Sequence, residues 1–261
     1  CYYWHHRAGH LVGALWAIHG VHHQAEQFDL SIALRHPWLS DIYAVPFYAL
    51  MPLLGVPALH FFVGISIVSF YALSIHTFMF DRPSLYVFVT PHSHVVHHAR
   101  NRPYLGMNLG AMFTVWDRMF GTHVDVDPAV PPELGTPAGY ETHNGVKAQF
   151  VFWRDLMAAA RAAEGLDKIA PFVRRPGWWP EGKSRLPRLT APPESDVPTS
   201  TKRLVLSLFA VTVVVAVHVL WFRDRYTTRE QAVAATLIVA TLYLLGRVLD
   251  RRRAAAGVAL T

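Results

Sequence analysis

The chain has 261 residues, 52% of them hydrophobic and only 16% charged, and its mean hydropathy is positive, a balance that points to a membrane. Its formal charge of +6 gathers largely from Arg174 onward. It suits an anionic membrane face and, without a compact basic-aromatic surface, argues against a nucleic-acid partner. The single cysteine, Cys1, excludes an internal disulfide framework and an iron–sulfur cluster.

The sequence starts at Cys1 in stretches that are already motif-like, as expected of an N-terminally truncated fragment, and shows no signal peptide. Residues 2–35 read as a helical hairpin. It carries His6 and His10, four apart, and then His19, His22 and His23 as H-x-x-H-H. Spacings of three and four put side chains on one face of a helix. Residues 39–75 carry one charge, Asp41, and are broken by Pro46, Pro52, Gly55 and Pro57. They predict a membrane hairpin whose first arm is short for a full crossing. His76 ends that run, and His94, His97 and His98 repeat H-x-x-H-H.

Residues 125–139 read as a loop, and 147–163 as an amphipathic helix with Trp153, Leu156 and Met157 on one side. A proline-rich linker follows at 171–203, low in complexity at 189–200. Apolar spans at 204–222 and 232–249 form a terminal hairpin. Thr227 to Glu230 offers a capping box for its second helix. Lys202, Arg203, Arg247 and Arg251–Arg253 at the open end outnumber Arg223, Arg225 and Arg229 in the loop. The positive-inside rule then puts the open end, the linker and the histidine module in the cytoplasm. The expected fold class is an all-α, multi-pass membrane protein with a cytoplasm-facing, all-histidine dimetal cap. The expected divisions are a metal-binding domain at 1–170, the linker at 171–203 and the hairpin at 204–261.

Of sixteen histidines, fifteen precede residue 144. Eight or nine grouped imidazoles are too many for one ion and suit two ions with an open position each. Iron, zinc, copper and nickel all accept imidazole. None of the seven glutamates is followed by histidine three residues on, so the carboxylate-bridged bundle pattern is absent. A hard reaction at a membrane, O₂-dependent attack on an unactivated C–H bond, favours iron over zinc.

YYWHHRAGH at 2–10, HGVHHQAEQFDLSIALR at 19–35, IHT at 75–77, TPHSHVVHH at 90–98 and WDRMFGT at 116–122 resemble the fatty acid hydroxylase/sterol desaturase superfamily of integral-membrane di-iron oxygenases. Within it, the likeness is to the alkylglycerol monooxygenase-like branch. The resemblance is strong over 2–123 and weaker through 139–156 and PGWWPEG at 176–182. It implies that His6, His10, His19, His22, His23, His94, His97 and His98, with His76 as a ninth, ligate two irons. It also implies a membrane lipid substrate and O₂ as co-substrate. An alkyl ether hydroxylated beside its oxygen gives a hemiacetal that falls apart to an aldehyde. The chain departs from the branch at Phe78, at Leu109 after Asn108, and at Ser93, with His92 displaced by one; these departures bear on the ether-lipid substrate. No haem, flavin or nicotinamide domain is recognisable, so electrons come from a separate donor. The resemblance implies a tetrahydropterin, or a cytochrome b5- or ferredoxin-type protein. The rival readings are a lipid or sterol desaturase of the same superfamily, and a non-catalytic membrane protein with a structural zinc cluster. The sequence leaves the oligomeric state open.

Metal-bound histidines commonly pass their other N–H to a carboxylate. Glu26, Asp29 and Asp117 are the candidates here, against capping or pairing with Arg35 and Arg118. Asn108 is a candidate support for the last histidine group. His5 is expected off the ligand face, His36 at a helix end, His60 within the hairpin, His123 and His143 beside the site, and His218 in a helix–helix hydrogen bond. Trp4, Trp16 and Trp116 read as core or membrane-interface residues.

Overall fold

The computed structural model describes residues 1–80, 86–137, 139, 142, 144–184 and 197–258, with 80 and 251–258 by backbone alone. The first helices are α1 (Tyr2–Leu11) and α2 (Gly13–His19), broken apart by extended Val12. Gly13 is required there. Its N–H donates to the Arg174 carbonyl at 2.8 Å, and a Cβ on it would run into the Pro171 carbonyl. Gly13→Ala is therefore expected to cost about 2 kcal/mol or more through overpacking, read as a drop of several degrees in the unfolding midpoint. An unchanged midpoint would show that the 171–174 segment does not bear on α2.

Next come α3 (Leu30–Leu34), α4 (Ser40–Tyr48) with Pro46 inside it, α5 (Leu50–Leu53) and α6 (Ala58–Ser74). The 39–75 run is thus helical, but α6 has 17 residues, short of the ~20 a full crossing takes. None of its side chains is buried; Leu59, Phe62 and Phe70 stand open. α6 touches α3, and Tyr71 donates to the Val89 carbonyl at 2.7 Å, but much of its apolar surface stays uncovered among the described residues. α7 (Pro91–His97) opens with a reciprocal cap between Thr90 and Ser93, and α8 (Val115–Met119) follows.

After α9 (Gly145–Ala148) comes α10 (Val151–Ala162), later in starting than the expected 147–163. Its inward face is Phe152, Leu156 and Ala159, whereas Met157 is exposed. Phe152 and Leu156 pack with Ala17 of α2, and Trp16 and Trp153 lie at the edge of that cluster. α11 (Ala170–Val173) is also helical and packs on α2 and α10.

The chain divides into two units. One is Cys1–Tyr140 with Gln149–Leu189; the other is Glu141–Ala148 with Thr190–Thr261. This revises the expected divisions. Residues 171–184 hold structure belonging to the first unit instead of a linker, because Gly13 and α10 draw them in. Residues 185–196, most of the expected low-complexity stretch, lie outside the described residues. In the second unit α12 (Thr199–Trp221) and α13 (Thr228–Val258) pair. Both are long and apolar enough to cross a membrane. The capping box forms: Thr227 N donates to Glu230 Oε2 at 2.8 Å and Glu230 N to Thr227 Oγ1 at 3.3 Å. His218 meets the Tyr226 hydroxyl at 3.0 Å, a contact to the connecting turn and not the expected helix–helix bond. Asn144 of this unit is fully buried, and its Nδ2 donates to the Tyr243 carbonyl at 2.9 Å.

Candidate metal centre

The histidines gather into two groups of side-chain nitrogens, each lying within 4.8 Å of one another: His6, His10, His19, His23 and His97, and His22, His76, His94 and His98. Each H-x-x-H-H motif is split between the two. In each, the i and i+4 members go one way and the i+3 member goes the other, although His22–Gln24 form a 3-10 turn and Pro91–His97 an α-helix. The split is reciprocal: His97 joins His19 and His23, while His22 joins His94 and His98. The expectation of whole motifs aimed at single points is corrected accordingly.

Within the groups the ring nitrogens are close. His6 Nε2 and His23 Nε2 lie 3.0 and 3.1 Å from His19 Nε2. His76 Nε2 lies 2.9 Å from His94 Nε2 and 3.2 Å from both His22 Nε2 and His98 Nε2. Four rings donate Nδ1–H to backbone carbonyls: His6 to Leu109 at 2.7 Å, His22 to Ile32 at 3.1 Å, His76 to Ala72 at 2.6 Å and His97 to Met107 at 3.0 Å. An oxygen acceptor holds the proton on Nδ1 and leaves a lone pair on Nε2. His22 and His76 therefore point lone pair at lone pair. A cation resolves that repulsion. Nitrogens about 2.1 Å from one ion at right angles sit about 3 Å apart, the spacing found here. His10 Nε2 and His97 Nε2, buried without a partner, complete a donor set that fits a metal ion in each group.

Burial holds the imidazoles neutral. The His6 pKa falls to about 3, chiefly from burial, and His10, His19, His22, His23, His94, His97 and His98 lie well below 6.5 for the same reason. The unfolded chain takes up these protons near pH 6.5 and the folded chain does not. Stability of the metal-free protein is thus complete above that pH and lost as pH falls towards the folded values. His6 alone gives up on the order of 1 kcal/mol by pH 5.5. The unfolding midpoint of chelator-treated protein should fall steeply between pH 7 and 5 and stay flat between 7.5 and 9. A flat profile across the acid range would contradict the burial of these rings.

Two rings hang on one loop. Asn108 is left-handed (φ 52), a conformation asparagine tolerates. Its Nδ2 donates to the Ser93 and Val124 carbonyls at 2.8 Å each, and its Oδ1 accepts Val124 N–H at 2.9 Å. Asp117, 1% exposed, accepts Leu109 N–H at 2.7 Å, Gly110 N–H at 2.8 Å and the Thr122 hydroxyl at 2.7 Å. The carbonyls of Met107 and Leu109, on either side of Asn108, hold His97 and His6. Asn108 and Asp117 thus reach the histidines through main-chain carbonyls, not by the expected direct contact of a carboxylate.

Glu26 and Asp29 answer to other needs. Glu26 pairs with Arg100 at 3.4 Å. Asp29 caps α3 by accepting Ser31 N–H at 2.7 Å. Arg118 lies 4.0 Å over the Tyr86 ring. His5 stacks on Tyr43 at 4.2 Å, His36 bonds Ser40 Oγ at 2.7 Å, and His60 is exposed on α6. His123 lies 3.5 Å from Asp125, and His143 is outside the described residues. Sequence reasoning missed the supporting carbonyls, which have no side-chain signature. Trp16, expected as a core or interface residue, packs on the Ala17 cluster and also lies 5.2 Å from His10 and 5.4 Å from His23.

The family model described as fatty acid hydroxylase matches residues 1–122. Alkylglycerol monooxygenase of Homo sapiens is 30% identical over 267 residues, covering 98% of this chain and 59% of its own length. The Xenopus tropicalis protein is 30% identical with the same coverages. That of Danio rerio is 35% identical over 188 residues, 71% of this chain and 41% of its own. The chain thus spans about three-fifths or less of the length of these relatives. No solved structure matches it.

Proposed function

We propose that the chain is a membrane-bound, O₂-dependent lipid hydroxylase of the alkylglycerol monooxygenase type, a reading supported by the match of residues 1–122 to the family model described as fatty acid hydroxylase. Its substrate is a lipid with an alkyl chain, foremost an ether lipid. The observation that carries this reading is the pair of facing, all-imidazole nitrogen clusters, nine rings with no carboxylate among them. His6, His10, His19, His23 and His97 would hold one iron, and His22, His76, His94 and His98 the other. Iron, when bound, supplies reductive O₂ activation for attack on a C–H bond.

The chain's own residues supply the rest. Main-chain carbonyls fix four rings in the tautomer that presents Nε2. The apolar helices at 40–74 and 199–250 would set the module on a bilayer as a multi-pass protein. Lys202, Arg203, Arg247 and Arg251–Arg253 at the open end of the last hairpin, against Arg223, Arg225 and Arg229 in its loop, favour a cytoplasmic site. Electrons come from an external donor, a tetrahydropterin or a cytochrome b5- or ferredoxin-type protein.

The test is metal analysis of the detergent-solubilised protein, followed by O₂ uptake with an alkylglycerol and a reductant. Two irons per chain, and aldehyde released in step with O₂, are expected. An alkene product would make it a desaturase. Tightly held zinc without O₂ uptake would make the cluster structural.

A further inference from the structure

We infer that Trp16 is a sacrificial oxidation site: when the protein consumes O₂ without lipid, its indole takes the oxygen and spares His10 and His23. This rests on the hydroxylase reading above, which supplies iron, O₂ and an external two-electron donor. The aromatic surroundings of the two nitrogen groups differ in kind. Beside His22, His76, His94 and His98 stands Phe28, whose ring centroid lies 6.3 Å from His76, 6.4 Å from His94 and 6.1 Å from His98. Beside the other group stand Tyr2, 5.4 Å from His6, and Trp16, 5.2 Å from His10 and 5.4 Å from His23. Trp16 reaches a third ring of that group, His19, at 6.4 Å. Centroids roughly 4.5–7 Å apart belong to rings in contact. A benzene ring resists oxidation, whereas a phenol and above all an indole give up electrons readily. The second group is therefore flanked by an inert ring and the first by the most oxidisable of side-chain rings.

The indole is wedged in place. A Cβ on Gly20 would come within 3.0 Å of the Trp16 ring and 2.8 Å of the Phe152 ring, and the Phe152 centroid lies 5.7 Å from that of Trp16. Packing on Ala17 asks only for an apolar ring; an indole there adds one that can be oxidised. Trp16 also lines a cavity of about 610 Å³ within the first unit, roomy enough for water. Protons lost on oxidation thus have solvent to go to, beside rings of the metal-binding group that are themselves buried. The step balances. One indole C–H bond breaks and one C–O bond forms. The indole and O₂ take two electrons and two protons from the donor DH₂, giving hydroxytryptophan, H₂O and the oxidised donor D.

Peptide mass spectrometry tests this on the iron-loaded, full-length protein in detergent, given a tetrahydropterin, air and catalase but no lipid. A gain of one oxygen at Trp16 is expected. It should outpace any gain at Trp38 and Trp221, which are exposed and would be the first targets of a diffusible oxidant. Zinc-loaded protein should show no gain at Trp16. Trp16→Phe, which keeps a ring against Ala17, should carry the oxygen on His10 and His23 instead and lose its iron faster. An unmodified Trp16 after iron-dependent O₂ uptake, or an equal gain in the zinc-loaded protein, would overturn the assignment. So would a Trp16→Phe protein that keeps its ligands unoxidised and its iron as long as the wild type does. Failure of the hydroxylase reading itself would look different: Trp16 would gain oxygen, but an added alkylglycerol would neither gain any nor lower that yield.

Discussion

Substituting His22 by alanine is expected to lower turnover by more than about 100-fold, beyond the 10–100-fold seen when only a residue supporting a ligand is lost. It should also reduce iron from two ions per chain towards one. His22 sits with His76, His94 and His98, while its sequence neighbour His23 sits with the other group. Loss of His22 should therefore empty one site and spare its neighbour. Membrane insertion should persist, because it rests on the apolar surfaces of the helices, which His22 does not supply. The comparison is His60→Ala, exposed on α6, which should keep both irons. Full turnover of the His22 variant, or loss of both irons in step with unfolding, would contradict the division into two groups.

Replacing Asp117 by alanine should destabilise the protein by about 3 kcal/mol or more. The carboxylate accepts two backbone N–H groups and one hydroxyl while almost wholly buried. Its removal leaves two buried backbone N–H donors unpaired, each worth about 1–3 kcal/mol, and leaves the Thr122 hydroxyl with the Tyr3 hydroxyl at 2.8 Å. Burial raises the pKa of Asp117 and the three hydrogen bonds oppose that rise. Loosening the loop also frees the Leu109 carbonyl that orients His6. Iron affinity should fall with stability, and Asp117→Asn should fall between the alanine variant and the wild type. Chemical denaturation with parallel iron analysis reads both quantities. Retained stability in the alanine variant would mean that water replaces the carboxylate.

The histidine spacing made the site legible because ligands must come from side chains of a few types and helices repeat them every turn. Even there, the spacing showed which rings converge but not how they divide. His22 and His97 cross over because two H-x-x-H-H elements face each other, a tertiary fact. His76 could be named only by its place at the end of an apolar run, and it falls among His22, His94 and His98. The supports were hidden for a different reason. Carbonyls of Ile32, Ala72, Met107 and Leu109 belong to every residue type, so nothing in the sequence marks them. The carboxylates that looked suited to the task serve capping, pairing and a turn instead. Long apolar runs gave α12 and α13 directly, because their length decides the matter. α10 begins at Val151 and its buried face is Phe152, Leu156 and Ala159, a rotation from the expected Trp153, Leu156 and Met157 that the spacing alone does not reveal.

The docking of Asn144 on α13 changes how the second unit is attached. The main chain passes from the first unit into Glu141–Ala148, returns at Gln149, and leaves again near residue 190. Segment 141–148 stays joined to the first unit at both of its ends, and within the second unit Asn144, Thr142 and Lys147 hold Tyr243 and Asp250 of α13. The terminal hairpin is therefore fastened twice, once covalently and once by a latch. A single proteolytic cut near residue 190 would sever the first fastening only. The fragment carrying α12 and α13 should then travel with the histidine unit through purification, as a nicked whole and not as a lost tail.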